Sequence, residues 1–385
     1  MCECLAMSFL RCGFIGLWLL SGTLGCQSPH HARSAGLAEE PSDAAPSTVP
    51  YDGPLIDTHA HIVSYASLSQ DSPTFRVDHR DEDARDDALQ TARHLESMDA
   101  NQIGCVVGFH AVSLAQPGDP DYRDRDADVQ AKLLGHALRL KRDHGDRFKL
   151  FAEVFRDNPL SWYDAERFSS MLDSGAFSGI GEIAMANIPF SDANFDPRVI
   201  STFPDDPALL AIYALAGERG VPVMVHPGSL QGLDTAIAHD PRTPWVIHGW
   251  QVHDEWTNLD ALDDLFRTHP NLYYTLDFAE SLPEHLELMK GRRGAEEDAF
   301  LPYMDEHMDH GVHRMTEEWR ELIEAWPDRF MWGTDLARPR WQWENPEILA
   351  AIVQQNRQFL GTLDPDKADA IGWQTAERVF GPCAP

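Results

Sequence analysis

The chain has 385 residues, 43% of them hydrophobic, and a formal net charge of −31. That length and apolar content suit one large domain or two small ones and exclude a disordered chain. The acidic excess argues against a non-specific nucleic-acid binder and reads as a solvated surface, not as a partner site.

The amino terminus has the form of an export signal. Arg11 precedes the apolar run GFIGLWLL, which is shorter than the roughly 20 residues a spanning helix needs. Thr23-Leu24-Gly25-Cys26 is similar to a bacterial lipobox, with Thr23 where leucine is usual. Residues 1–26 are therefore expected to be a signal peptide with Cys26 as the lipidation site. The product would be a cell-envelope lipoprotein on the periplasmic face, touching the membrane only through that lipid anchor; simple secretion and a misread start of a cytosolic protein are the alternatives. Met7 offers a second possible start. Residues 27–52 read as a flexible polar tether.

Four of the six cysteines (Cys2, Cys4, Cys12 and Cys26) fall in this leader, leaving Cys105 and Cys383 in the body. That spacing is no disulfide framework. Cys105 sits in an apolar run and reads as a small core residue.

From residue 53 the pattern changes, and residues 53–385 form the expected folded domain. Eight short apolar runs are strand candidates. They are LIDTHAHI (55–62), IGCVVGFHAV (103–112), FKLFAEVF (148–155), SGIGEIAM (178–185), VPVMVHPG (221–228), TPWVIHGW (243–250), NLYYTLDF (271–278) and RFMWGTDL (329–336). Helical stretches lie between them. The clearest is DDPALLAIYALAGERG, with Asp206 as N-cap, Pro207 at the first helical position and Gly220 at the end. Strands alternating with helices predict an α/β fold, a parallel (β/α)8 TIM barrel. The competing doubly wound sheet lacks a Gly-rich turn after its first strand. Two long connections, residues 64–98 after the first strand and 280–318 after the seventh, are candidate lids at the mouth.

Sites in such barrels lie at the carboxyl ends of the strands. Those ends carry His59 and His61, Glu182, His226, His248 and Asp335. His59 and His61 are two apart and so share one face of their strand. Each of these residues has a plainer reading: a satisfied core histidine, an arginine-paired glutamate, a loop cap, an acid/base that binds no metal, a helix N-cap. Six ligand-type side chains at equivalent positions on five strands point instead to a divalent cation, since imidazole and carboxylate suit zinc and similar ions.

The motifs DTHAHI, GIGEIAM, VPVMVHPG, VIHGW and WGTD resemble the amidohydrolase superfamily, in particular its amidohydrolase-related group, over residues 53 to about 381. The resemblance implies that His59, His61 and Asp335 hold a buried metal and that His226 and His248 hold a second. Glu182 would bridge the two, as the metal glutamate of TatD-type relatives does, where other members use a carboxylated lysine. It implies two zinc ions, with manganese, iron or cobalt as alternatives. It further implies hydrolysis of an amide, ester, lactone or phosphoester of a small molecule, with Asp335 and His248 as catalytic residues and Asp335 carrying the proton. The same group contains one-metal decarboxylases and hydratases of carboxylated small molecules. There His59, His61, His226 and Asp335 would hold one ion and His248 would act as base or oxyanion donor. A barrel without activity, serving as a binding lipoprotein, is the third reading.

Weaker expectations concern the mouth. His110, Trp250, His253, Asp277 and Arg338 follow strand ends and are candidate substrate contacts. His307, His310 and His313 have helical spacing and read as a solvated face.

Overall fold

In the computed structural model, the described residues are 49–62, 86–111, 122–153, 164–184, 204–226, 230–247, 259–277, 319–335 and 346–383. They contain eight strands: β1 (Leu55–Ile62), β2 (Ile103–Ala111), β3 (Phe148–Glu153), β4 (Gly179–Ala184), β5 (Val223–His226), β6 (Trp245–Ile247), β7 (Leu272–Asp277) and β8 (Phe330–Gly333). Each falls inside its expected run. All are parallel and pair in chain order, β1 to β8, in one sheet. The expected (β/α)8 barrel is the observed architecture, and the open doubly wound sheet is not.

Helices follow the strands: α1 (Asp87–Ala100), α2 (Tyr122–His144), α3 (Ala165–Asp173), α4 (Pro207–Arg219), α5 (Leu230–His239), α6 (Leu259–Thr268), α7 (Arg320–Ala325) and α8 (Pro346–Leu360). The chain then closes with α9 (Pro365–Asp369), a π-helical turn (Ala370–Gln374) and α10 (Thr375–Phe380). Local chemistry sets these ends. Asp206 accepts a hydrogen bond from the Ala208 N–H at 2.9 Å, Pro207 opens α4, and Gly220 ends it in the left-handed region at φ 64°. Asp86 caps α1 in the same way, accepting from the Ala88 and Leu89 N–H groups. Helix α1 begins at Asp87, inside the stretch read as the first long connection, because that cap starts a helix the acidic composition had hidden. Among the described residues no helix is long and apolar enough to cross a membrane.

The apolar side chains form two layers, as a parallel barrel requires. Ile56, Val107, Phe109, Phe151, Met224, Val246 and Met331 fill the interior. Leu55, Ala60, Ile62, Val106, Leu150, Ile180, Val225, Trp245, Tyr274 and Trp332 face outward and pack under the helices. Helix α10 plugs the foot of the barrel with Ala376 and Phe380, and Phe380 meets the Phe151 ring edge-on at 5.6 Å. Cys105 is buried in that interior cluster, as expected, but it is also bonded to Cys383, with the two Cα atoms 5.8 Å apart. A single bond is no framework, but it gives Cys105 a role beyond that of a small core residue. Two cysteines 278 positions apart carry no spacing signal, and only the return of the chain to the barrel foot joins them.

Strand β1 changes phase along its length. Ile56 lies in the interior, yet Ala60 and Ile62 point outward. The pairing with β2 shifts register between Asp57 and Ala60. A bulge of this kind moves every later side chain to the other face. Here it turns His59 and His61 inward, where both rings lie against Phe109, at 4.9 and 5.8 Å.

Candidate metal centre

The inward turn of β1 places two imidazoles in a cluster of carboxylates. His59 is fully buried, and Glu182 and Asp335 are 4% and 7% exposed. The Asp335 Oδ1 atom lies 3.3 Å from His59 Nε2 and 3.2 Å from His61 Nε2. Glu182 offers one oxygen to each ring: Oε1 at 3.8 Å from His59 Nε2, Oε2 at 3.4 Å from His61 Nε2. The ligand atoms of His59, His61 and Glu182 all lie within 4.8 Å of one another.

Backbone geometry holds the two acids in place. Gly181 precedes Glu182 at φ 135°, and a Cβ there would stand 2.6 Å from the Met224 carbonyl oxygen. Only glycine lets β4 approach β5 this closely. Asp335 follows β8 with φ 48°, a left-handed conformation that non-glycine residues adopt at a cost of about 1–2 kcal/mol. Thr334, one residue earlier, donates its N–H and its hydroxyl to Asp57 at 3.0 and 2.7 Å.

The donor set fits a divalent cation. Four bonds of ~2.0–2.1 Å in a tetrahedron put ligand atoms ~3.3 Å apart, close to the 3.2–3.8 Å separations seen here. The electrostatics agree. Burial works against a charge on His61, yet Glu153, Asp335 and Glu182 outweigh it and hold its pKa well above the ordinary 6.5. A site that attracts a proton this strongly attracts a cation for the same reason.

His59, His61, Glu182 and Asp335, drawn from β1, β4 and β8, are thus brought together. His226 is the last residue of β5, where its backbone pairs with Ala184, two residues beyond Glu182. Its side chain lies outside the described residues, as does that of Asp277, the last residue of β7. His248, Trp250, His253 and Arg338 lie wholly outside them, as do Cys26 and the His307–His310–His313 set.

His110 takes a different place from that expected. It neighbours Phe109 on β2 and therefore points to the opposite face, toward the helices. There its Nε2 lies 2.8 Å from Nδ1 of His136 on α2, and its ring packs on Phe177. The structure does not bring it to the cluster. One residue of the centre went unread in the sequence. Glu153, the last residue of β3, is buried, and its Oε2 lies 3.3 Å from His61 Nδ1. The signal was present, since FKLFAE ends in a carboxylate at the same strand end as the other ligands. A lone glutamate without a motif around it passed as ordinary.

The fold and the centre define a metal-binding (β/α)8 barrel protein. The family model described as amidohydrolase matches residues 56–381, and the chain belongs to that family. No curated protein matches it. Among solved structures it is similar to a zinc-bound amidohydrolase from Burkholderia multivorans, at 16% identity and TM-score 0.49, over 86% of this chain and 100% of that one. It is also similar to a dihydroxybenzoic acid decarboxylase with bound manganese from a Polaromonas species, at 14% identity and TM-score 0.47, over 85% and 97%. A third is 4-oxalomesaconate hydratase from Rhodopseudomonas palustris, at 13% identity and TM-score 0.45, over 85% and 95%. At these identities the likeness concerns the fold alone.

Proposed function

We propose that the chain is a metal-dependent hydrolase of a small molecule, cleaving an amide, ester, lactone or phosphoester bond. The observation that carries this reading is the convergence of His59, His61, Glu182 and Asp335 within 3.2–3.8 Å at the carboxyl end of the barrel. Zinc is the first choice for such a mixed imidazole–carboxylate set, with manganese, iron or cobalt as alternatives. When bound, a divalent ion supplies water activated near neutral pH and a Lewis acid for the substrate oxygen.

The chain's own residues do the rest. His59 and His61 would supply nitrogen ligands to one ion, and Glu182, with an oxygen near each ring, would supply a carboxylate ligand beside them. His226 and His248 complete the second set in this reading. Asp335 accepts the proton of the attacking water and passes it to the leaving group. Export of the chain as an envelope lipoprotein, or by secretion, completes the proposal. The Cys105–Cys383 pairing supports it, because such bonds persist in oxidising compartments.

The test is metal analysis of purified protein, combined with turnover on a panel of esters, lactones, amides and phosphoesters. About two ions per chain and hydrolysis lost in Asp335→Asn are expected. Release of carbon dioxide from a carboxylated substrate by a one-ion protein would replace the hydrolase with a decarboxylase. A fully loaded chain inert to both panels would leave a binding protein.

A further inference from the structure

We propose that Glu153 is the positioning residue of the centre: it holds the His61 imidazole with its proton on Nδ1, so that Nε2 presents a lone pair to the cation. This rests on the metal reading above and adds to it a residue that touches neither ion nor substrate.

The argument begins with β3. Phe151 fills the barrel interior, so Glu153, two residues on, faces the same way and one layer nearer the mouth. Phe151 packs edge-on against Phe109 at 5.4 Å, and Phe109 in turn supports both histidine rings. The Glu153 carboxylate is thus fixed above an aromatic floor and is only 3% exposed. A carboxylate so buried needs a polar partner. His61 Nδ1, at 3.3 Å, is that partner.

The two nitrogens of His61 face different groups. Nε2 looks toward Glu182 and Asp335, at 3.4 and 3.2 Å, where the cation would sit. Nδ1 looks away, toward Glu153. A neutral imidazole carries one N–H, and a nitrogen that ligates must give up its own. The proton therefore belongs on Nδ1, and the group opposite must accept a hydrogen bond. A carboxylate does so with charge assistance, which also raises the basicity of the ligating nitrogen. Glu153 sits on the Nδ1 side of the ring, opposite to the Nε2 side that the cation would occupy. Its place is behind the ligand, not beside it.

The experiment uses the full chain with zinc or cobalt as the probe. Apparent affinity is measured by competition with a chelating dye for wild type, Glu153→Gln and Glu153→Leu. Ring protonation is read by nitrogen-15 histidine spectra of the zinc-loaded proteins. Glu153→Leu should bind about 10–100-fold more weakly. Glu153→Gln, which keeps an accepting oxygen without the charge, should fall between. The His61 signal of the Nδ1–H form should be sharp in wild type and lost or rapidly exchanging in Glu153→Leu. Unfolding midpoints of the three metal-free proteins show whether the fold is intact; where Glu153→Leu does not fold, Glu153→Gln carries the test. Wild-type affinity in every variant that folds, or an unchanged Nδ1–H signal in Glu153→Leu, would overturn the role while leaving the metal centre standing. A wild-type chain that binds no divalent ion would sink both readings.

Discussion

The Asp57 carboxylate and the Thr334 hydroxyl meet at 2.7 Å across the seam where β8 returns to β1, 277 residues apart in the chain. The contact is one of several at that seam. Asp57 also accepts from the Thr334 and His59 N–H groups, at 3.0 and 3.1 Å. Thr58 donates its hydroxyl to the Trp332 carbonyl at 2.7 Å. Side chains of β1 therefore fasten the two strand ends that carry His59 and Asp335. Hydrogen bonds between a charged and a neutral partner contribute about 1.5–3 kcal/mol each, and a buried acceptor left unmet costs about 1–3 kcal/mol.

Thr334→Val keeps the shape of the side chain and removes its donor. It should lower the free energy of unfolding by about 1–3 kcal/mol. It should also weaken metal affinity, because Asp335 is the next residue and loses its anchor. Denaturant titration and chelator competition on the same protein check both. A variant that is less stable but binds metal as wild type does would reduce the seam to a structural role.

Removal of the cation should itself destabilise the barrel. An ion that binds only the folded chain stabilises it by about 2.7 kcal/mol when present at 100 times its dissociation constant. Dialysis against a chelator should lower the unfolding midpoint, and zinc or manganese should restore it. In Glu182→Gln the midpoint should respond far less to added metal, since one of the converging carboxylates is gone. A wild-type midpoint indifferent to chelator and metal alike would count against the centre.

Much of this was legible beforehand, for a physical reason. Strand ends in a parallel barrel share one rim, so the ligand types of LIDTHAHI, GIGEIAM and WGTDL located His59, His61, Glu182 and Asp335 without coordinates. What escaped depends on which face of a strand a residue takes. His110 stood at the right height but on the outward face, beside His136. Glu153 stood at the right height on the inward face, with no motif to mark it. The bulge in β1 was hidden too, since the spacing of His59 and His61 is the same with or without it. The disulfide needed the whole fold, because the barrel foot alone brings the carboxyl terminus to β2.

That disulfide should contribute strongly to stability. It closes a loop of 278 residues, for which the chain-entropy argument gives roughly 5.6 kcal/mol as an upper figure and experience about 2–4 kcal/mol. The Lys149 amine, donating to the Pro382 carbonyl at 2.6 Å, holds the tail even without it. Cys105→Ala and Cys383→Ala should therefore fold but unfold earlier in denaturant, by similar amounts. The double variant should be no worse than either single one. Thiol titration of the denatured, unreduced protein should show neither Cys105 nor Cys383 free.

Acid sensitivity should come in part from two histidines that take no part in the centre. Burial, with Arg139 adding to it, lowers the pKa of His136 from 6.5 to about 4. Burial, followed by Arg147, lowers that of His94 to about 3. Above pH ~6.5 both are neutral in the folded and the unfolded chain and add nothing to the pH dependence. As the pH falls below that value, the unfolded chain takes up protons that the folded chain refuses, so stability declines. For His136 the decline runs from about 6.5 down to about 4 and then levels off, because both states are by then protonated. At about 1.4 kcal/mol per pH unit, it amounts to roughly 3 kcal/mol. His136→Gln keeps a polar partner for His110 but does not titrate. Its unfolding free energy should fall less steeply between pH 7 and about 4.5 than that of wild type. Parallel profiles for the two proteins would mean that the His136 ring takes up its proton as readily in the fold as in the unfolded chain.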